Sequence, residues 1–199
     1  MGIKGGSCSG KTYFVSRLLE LLGNNLATLI SQDNYYWPIE EQPKDAEGRE
    51  NFDLPESFDK ECFIEDLRTL LKWKTVKKQE HVFNNPALSA KTLLFEPAPI
   101  ILVEGIFVFH FPEVAAMLDL KLFVDAPEHI KIKRRVLRDR AERGYELDQI
   151  LYQYEHHVAP NYNRYILPHR DHADVVINSD RKVDTALNLV STFLNTMIK

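Results

Sequence analysis

Eight consecutive residues near the start of the chain, Gly5-Gly6-Ser7-Cys8-Ser9-Gly10-Lys11-Thr12, fit the pattern G-x-x-x-x-G-K-[ST]. The chemistry that fits them is phosphate binding. Glycines let the backbone curl until successive N–H groups point inward at phosphate oxygens. Lys11 is placed to reach the β- and γ-phosphates, and the Thr12 hydroxyl to ligate Mg²⁺. A helix beginning at Thr12 turns its positive end on the same anion. ATP and Mg²⁺ are the cofactors this implies. Cys8 lies inside the loop, where a helix N-terminus lowers a thiol's pKa. We read it as a small filler residue and not as a redox site.

Two carboxylates follow apolar runs directly. Asp33 comes after Leu29-Ile30-Ser31-Gln32, and Glu104 after Ile100-Ile101-Leu102-Val103. In an open parallel sheet, ligands sit beyond the carboxyl ends of the strands, so both project to the edge that holds the phosphate loop. One can accept a proton from an attacking hydroxyl, and the other can hold Mg²⁺ directly or through water. Arg134, Arg135, Arg138, Arg140 and Arg143 crowd one stretch with Lys131 and Lys133. Cations of this kind spread the charge of a phosphoryl group in transfer, and a lid over about 129–145 could carry them and exclude water. Asp139 and Glu142 are interleaved with them, which argues against a nucleic-acid patch. The pairs His156-His157 and His169-x-x-His172 lack companion ligands at zinc-site spacing and read as surface residues. Trp37 and Trp73 belong to no pattern.

These groups need a scaffold. The chain has 199 residues, 44% hydrophobic and 27% charged, which fits one folded domain over 1–199. A formal charge of −4, from 25 basic against 29 acidic residues, gives no basic excess to draw it onto nucleic acid or anionic lipid. No apolar run approaches the length of a membrane span. Two cysteines make no disulfide framework. A cytoplasmic location is therefore expected. Short apolar runs at 1–4, 26–30, 99–103, 120–124 and 173–177 do not alternate, as suits strands covered on both faces. Helical spacing appears over 12–22, at Phe63, Leu67, Leu70 and Leu71, and over 147–158 and 183–197. The stretch 129–142 reads as an exposed charged helix or lid, and 37–51 as an exposed loop. The expected fold is α/β: a five-stranded parallel sheet flanked by helices, as in P-loop NTPases. Strand one is the weak point, since only 1–4 precede the glycines and Lys4 suits a buried strand poorly.

Beyond the phosphate loop, the chain resembles the uridine kinase family of P-loop kinases, related to phosphoribulokinase and bacterial pantothenate kinase. The segments that carry the likeness are Ser31-Gln32-Asp33-Asn34-Tyr35-Tyr36, Asn51-Phe52-Asp53-Leu54-Pro55-Glu56-Ser57-Phe58-Asp59 and Val103-Glu104-Gly105-Ile106. Lys121 to Asp125, Arg134-Arg135-Val136-Leu137-Arg138-Asp139, Glu142-Arg143-Gly144, Gln153-Tyr154 and the run from Leu167 to Ile177 continue it in the family's order. The resemblance implies an ATP-dependent kinase that phosphorylates the 5′-hydroxyl of a nucleoside, assembled as a homo-oligomer, commonly a tetramer. It implies Asp33 as general base, Thr12 and Glu104 at Mg²⁺, and Phe52 and Asp53 on the sugar side. Arg135 and Gln153 would also face the nucleoside, and Arg138 and Arg143 would belong to the lid.

The chain departs from the family on the base-recognition side. Family members acting on uridine carry Y-D-x-x-x-H-x-R upstream of the V-E-G segment. Counted without a gap, those four positions hold His81, Val82, Pro86 and Leu88, and only Phe83 keeps the aromatic between them. Tyr145 replaces the second arginine of E-R-G-R. Losing hydrogen-bond partners at a polar-recognition site costs orders of magnitude in specificity. A kinase acting on another nucleoside or small hydroxyl compound, with His81, Asn84, Asn85 and Tyr145 as its recognition set, is the second reading. A nucleotide-binding protein without turnover is the third, weakened because a binder needs no general base.

Overall fold

The computed structural model describes residues 1–23, 25–83 and 89–198. Asn84, Asn85, Pro86 and Leu88 lie outside the described residues. In chain order the elements are β1 (Gly2–Lys4), α1 (Lys11–Leu22), β2 (Ala27–Ser31), α2 (Lys60–Leu71), β3 (Val76–Gln79), β4 (Thr92–Phe95) and β5 (Ile100–Gly105). Then come α3 (Pro112–Ala115), β6 (Lys121–Asp125), α4 (Glu128–Glu142), α5 (Leu147–Gln153), α6 (Ala159–Asn161), β7 (Val175–Asn178) and α7 (Asp184–Met197). Five strands form one sheet in the order β2-β5-β1-β6-β7, every pairing parallel. That is the expected α/β architecture.

Both faces of the sheet are covered, which is why its strands carry unbroken apolar runs. On one face α1 and α7 lay Phe14, Leu18, Leu187 and Val190 over Ile3, Leu102 and Leu122. On the other, Phe63 and Leu67 of α2 meet Ile30, Val103 and Phe123 with the aromatics Phe107 and Phe111. Each such side chain contributes roughly 1.5–3 kcal/mol by leaving water. Antiparallel β3 and β4 form a separate hairpin that the sequence reading did not give. Its strand Val76-Lys77-Lys78-Gln79 buries Val76 alone, so it shows no apolar run.

β1 is three residues long and central to the sheet. It ends on Lys4, which is 0% exposed and whose Nζ donates to the Tyr165 carbonyl at 3.1 Å. Burial pushes the Lys4 amine from an ordinary 10.5 down to about 6. Between those values the unfolded chain binds a proton that the folded chain lacks. Stability therefore rises with pH across that window, by about 1.4 kcal/mol per pH unit. Below it both states are protonated and the slope ends. Lys4→Met is expected to raise the Tm most near pH 6, with the gap to wild type closing as pH climbs toward 10.5. A gap independent of pH in a melting series would mean that folded Lys4 keeps its charge.

Candidate active site

The phosphate loop hangs between β1 and α1. A Cβ on Gly5 would stand 2.1 Å from the Val124 carbonyl oxygen, so only glycine lets the loop leave the sheet there. Gly10 has φ +97°, the left-handed region that disfavours a side chain, and Cys8 adopts it too at φ 59°. The loop is braced from outside. Ser179, just after β7, donates its hydroxyl to the Ser9 carbonyl. Arg134 reaches from α4 to Ser179 Oγ at 3.0 Å, to the Ser179 carbonyl at 2.8 Å and to the Cys8 carbonyl at 3.4 Å. Lys11 Nζ folds back on the Gly6 carbonyl at 3.1 Å and pairs with Glu104 Oε1 at 3.6 Å.

The two carboxylates stand where adjacent strands end. β2 and β5 are neighbours in register, Ser31 opposite Glu104. Ser31 Oγ donates to Glu104 Oε2 at 3.0 Å and accepts from the Asp33 amide at 3.3 Å. That second bond caps the short 3₁₀ turn Gln32–Tyr35 and fixes where Asp33 starts. Gln32 is buried beneath, its Oε1 accepting from the Phe107 amide at 2.9 Å. Burial pushes the Glu104 carboxyl up, Lys11 pulls it back, and the Asp33 charge adds to the rise. Asp33 and Glu104 thus sense each other across one strand gap.

Apart from Arg140, which is exposed, the α4 arginines are not the exposed face that their composition predicts. Lys131, Arg135 and Asp139 recur at helical spacing and form a buried polar stripe. Arg135 donates to Ser7 Oγ and to Gln153 Oε1, both at 3.2 Å. Asp139 is 0% exposed and gathers three guanidinium groups: Arg138 at 2.8 Å, Arg135 at 3.2 Å and Arg143 at 3.6 Å. The driving cause is charge: burying arginine needs a carboxylate, and α4 supplies it from its own face.

Opposite the phosphate loop stands an aromatic wall. The Tyr36 ring lies 3.9 Å from Phe58, 5.3 Å from His81, 5.4 Å from Phe83 and 5.7 Å from Phe52, between centroids. Arg143 sits over the Phe83 ring at 4.2 Å. The Asp53 amide donates to Asn51 Oδ1 at 3.0 Å, which ties down the turn carrying Phe52 and Asp53. Burial lowers the His81 pKa, against the pull of Asp33, which favours the neutral ring.

Groups from each of these elements border one cavity of about 1150 Å³. Its lining holds Ser7, Cys8, Gly10, Lys11 and Thr12 with Asp33, Glu104, Arg138 and Arg143. Phe52, Asp53, Phe83, Arg135 and Gln153 line it as well. Gly5, Gly6 and Ser9 do not; they form the backbone behind it. Sequence reasoning gives no role to Tyr36, though it lies in a family segment, and misses Ser179; it names Arg134 only within the charged cluster, since the Arg134–Ser179 pairing spans 45 residues. His157, read as a surface residue, is 2% exposed and borders the cavity, its ring held by Asp45. Among the described residues no three His, Cys, Asp or Glu side chains gather as a metal cluster, and no helix is long and apolar enough to cross a membrane.

A model of the phosphoribulokinase/uridine kinase family matches residues 1–186. The chain is 37% identical to a uridine kinase of Borrelia garinii subsp. bavariensis, over all of this chain and 95% of that protein. It is 36% identical to uridine-cytidine kinase 2-B of Danio rerio, over 96% of this chain and 76% of that protein. In fold it is similar to a solved structure from Bacillus stearothermophilus described as a possible uridine kinase. That match has a TM-score of 0.63 at 16% identity and covers 88% of this chain and 86% of the other.

Proposed function

Since the chain belongs to the phosphoribulokinase/uridine kinase family, we propose that it is an ATP-dependent nucleoside kinase that phosphorylates the 5′-hydroxyl of uridine or cytidine. The observation that carries this reading is convergence. The phosphate loop, Asp33, the Phe52–Asp53 turn, Arg135 of α4 and Gln153 of α5 come from five separate segments and border one cavity.

In this reading the loop amides and Lys11 cradle the triphosphate. Asp33 takes the proton from the acceptor hydroxyl as that oxygen attacks the γ-phosphorus. The bond from the γ-phosphorus to its bridging oxygen breaks, and the electron pair leaves with ADP. Arg135, Arg138 and Arg143 are held by Asp139 before any substrate arrives, so their charge needs no rearrangement during transfer. Asp53 accepts hydrogen bonds from sugar hydroxyls, and Phe52 and Phe83 pack on the nucleoside. Thr12 and Glu104 suit Mg²⁺, a hard cation that keeps water and phosphate oxygens and takes only one or two protein ligands. The buried Glu104 carboxylate and the Thr12 hydroxyl, which line the same cavity, are such a donor set. When bound, the ion supplies charge neutralisation between the phosphates. The reading includes a homo-oligomer, a tetramer by resemblance, and a cytoplasmic place in pyrimidine salvage; sedimentation checks the first.

The deciding experiment is ADP release with ATP and Mg²⁺ against a panel of nucleosides and small alcohols. Turnover on uridine or cytidine, giving the 5′-monophosphate, is expected. Silence on both with ATP still bound would overturn the acceptor assignment. A second reading, a kinase of another nucleoside or small hydroxyl compound, is favoured by His81 and Tyr145, which border the cavity where the family has other groups. Turnover confined to another member of the panel would select it.

A further inference from the structure

Phe52 and Asp53 directly follow a loop, 37–51, that contributes no residue to either core. Its own hydrogen bonds make it a compact unit. The Asn51 amide donates to the Pro43 carbonyl at 2.7 Å, and Gln42 Nε2 donates to the Trp37 carbonyl at 2.7 Å. Lys44 and Glu50 pair as an antiparallel bridge. The loop's base is tied to Ser57, next to the core residue Phe58: the Ser57 carbonyl accepts from the Trp37 amide at 3.0 Å and from Gln42 Nε2 at 3.2 Å, and the Ser57 hydroxyl donates to the Asn51 carbonyl at 2.7 Å. Those bonds fix the loop's shape and its base and leave its tip unheld.

Asp45 holds the tip. Its Oδ1 faces inward and accepts from the Glu47 and Arg49 amides, both at 2.9 Å. Its Oδ2 faces across to another element. There it accepts from the Tyr152 hydroxyl at 2.9 Å and meets His157 Nε2 at 2.8 Å. The Arg49 guanidinium adds a stack on the Tyr152 ring at 3.7 Å. One carboxylate thus joins the tip of the loop to a helix. The Arg49 amide first, then His157 and Tyr152, hold its pKa well below the usual carboxylate range against the pull of burial. Tyr152 lies in α5, and His157 lies in the π-helical turn Tyr154–Val158 that continues it. Gln153, which holds Arg135, stands between them in sequence. A π turn shifts the side chains after it around the helix axis, and such turns cluster at functional sites.

We propose that Asp45, Tyr152 and His157 are positioning residues, a latch that holds the 38–51 loop, and with it Phe52 and Asp53, against the helix carrying Gln153. The latch sets the width of the acceptor side and leaves the phosphate loop alone. This rests on the acceptor reading of Phe52 and Asp53, and the experiment separates the two.

Asp45→Asn keeps the inward oxygen for the turn and replaces the outward acceptor by a donor. His157→Leu removes the ring nitrogen, and His157→Gln restores an N–H at similar reach. Hydrogen exchange of peptides covering 43–51 reads the latch without turnover. Exchange there is expected to quicken in Asp45→Asn and His157→Leu and to return toward wild type in His157→Gln. In steady-state kinetics the acceptor KM is expected to rise about tenfold in the first two, with the ATP KM within about twofold and partial recovery in His157→Gln. Unchanged exchange in 43–51 overturns the latch whether or not the protein turns over uridine. Faster exchange with an unchanged acceptor KM in an active enzyme overturns its role in positioning. Equal rises in both KM values would also overturn it, because a general loss of structure does that. If wild type phosphorylates none of the panel, the acceptor reading fails, and exchange alone decides whether the loop is latched.

Discussion

Asp33→Asn is expected to lower kcat by about 10³-fold while ATP affinity stays within about twofold, because a positioned general base contributes roughly 10²–10⁴. The substitution keeps the size and the hydrogen-bonding shape of the side chain and removes its ability to take a proton. The Asp33 amide bond to Ser31 Oγ involves the backbone and survives it, so the cap and the strand end stay in place. Among the described residues the phosphate loop makes no hydrogen bond to the Asp33 side chain; Lys11 holds Gly6 and Glu104. Loss of the Asp33 charge also relieves the upward push on Glu104, which favours its ionised carboxylate. Single-turnover kinetics with saturating ATP measure the chemical step directly. Turnover equal to wild type would remove Asp33 from proton transfer and leave desolvated hydroxide or substrate-assisted transfer to account for the reaction.

What the sequence made legible follows from how local the determinants are. The phosphate loop is written in eight consecutive residues, since glycine positions dictate the backbone path by themselves. A rule of the fold, that residues just past parallel strands face the ligand edge, singles out Asp33 and Glu104; in the structure both line the cavity, with Ser31 opposite Glu104. The five parallel strands and their covered faces follow from unbroken apolar runs, while their order does not. Lys4 shows the limit of that logic. Its charge argued against a buried strand, yet the central position imposes burial, and the amine gives up its proton.

The rest depends on partners far away in sequence. A charged stretch reads as solvated unless its counterions are visible, and those of α4 lie partly on its own buried face and partly in the loops it spans. Arg135 finds Ser7 and Gln153 across 128 and 18 residues. His157 looked like a surface histidine because its partner Asp45 is 112 residues away. The hairpin of β3 and β4 was lost because its strands alternate weakly. Trp73, 65% exposed in a left-handed turn, has no role that the fold explains.

The second large effect is expected at Asp139. Removing one member of a buried charge group costs about 3–5 kcal/mol, because the partners stay behind without compensation. Here Asp139→Asn would leave three guanidinium groups, now within 3.6 Å of one carboxylate, around a neutral amide. Their mutual repulsion is relieved only if Arg138 and Arg143 swing out toward solvent, which takes them from the cavity, while Arg135 keeps Ser7 and Gln153 as anchors. The Tm is therefore expected to fall, and kcat/KM to drop by about 10²-fold for ATP and acceptor alike, since removed transition-state charge stabilisation acts on both. A double-mutant cycle with Arg138→Met separates the two causes. If repulsion among the arginines drives the loss, the second substitution removes one of the crowded charges and restores stability, giving a coupling on the order of 1–3 kcal/mol. Stability recovers in part under that account, while activity stays low, because Arg138 is itself one of the cations proposed to stabilise the transferring phosphoryl group. Activity recovering along with stability would take Arg138 off that group. Additive losses would mean that the carboxylate and Arg138 act independently, and that Asp139 serves the fold of α4 without organising the charges at its cavity face.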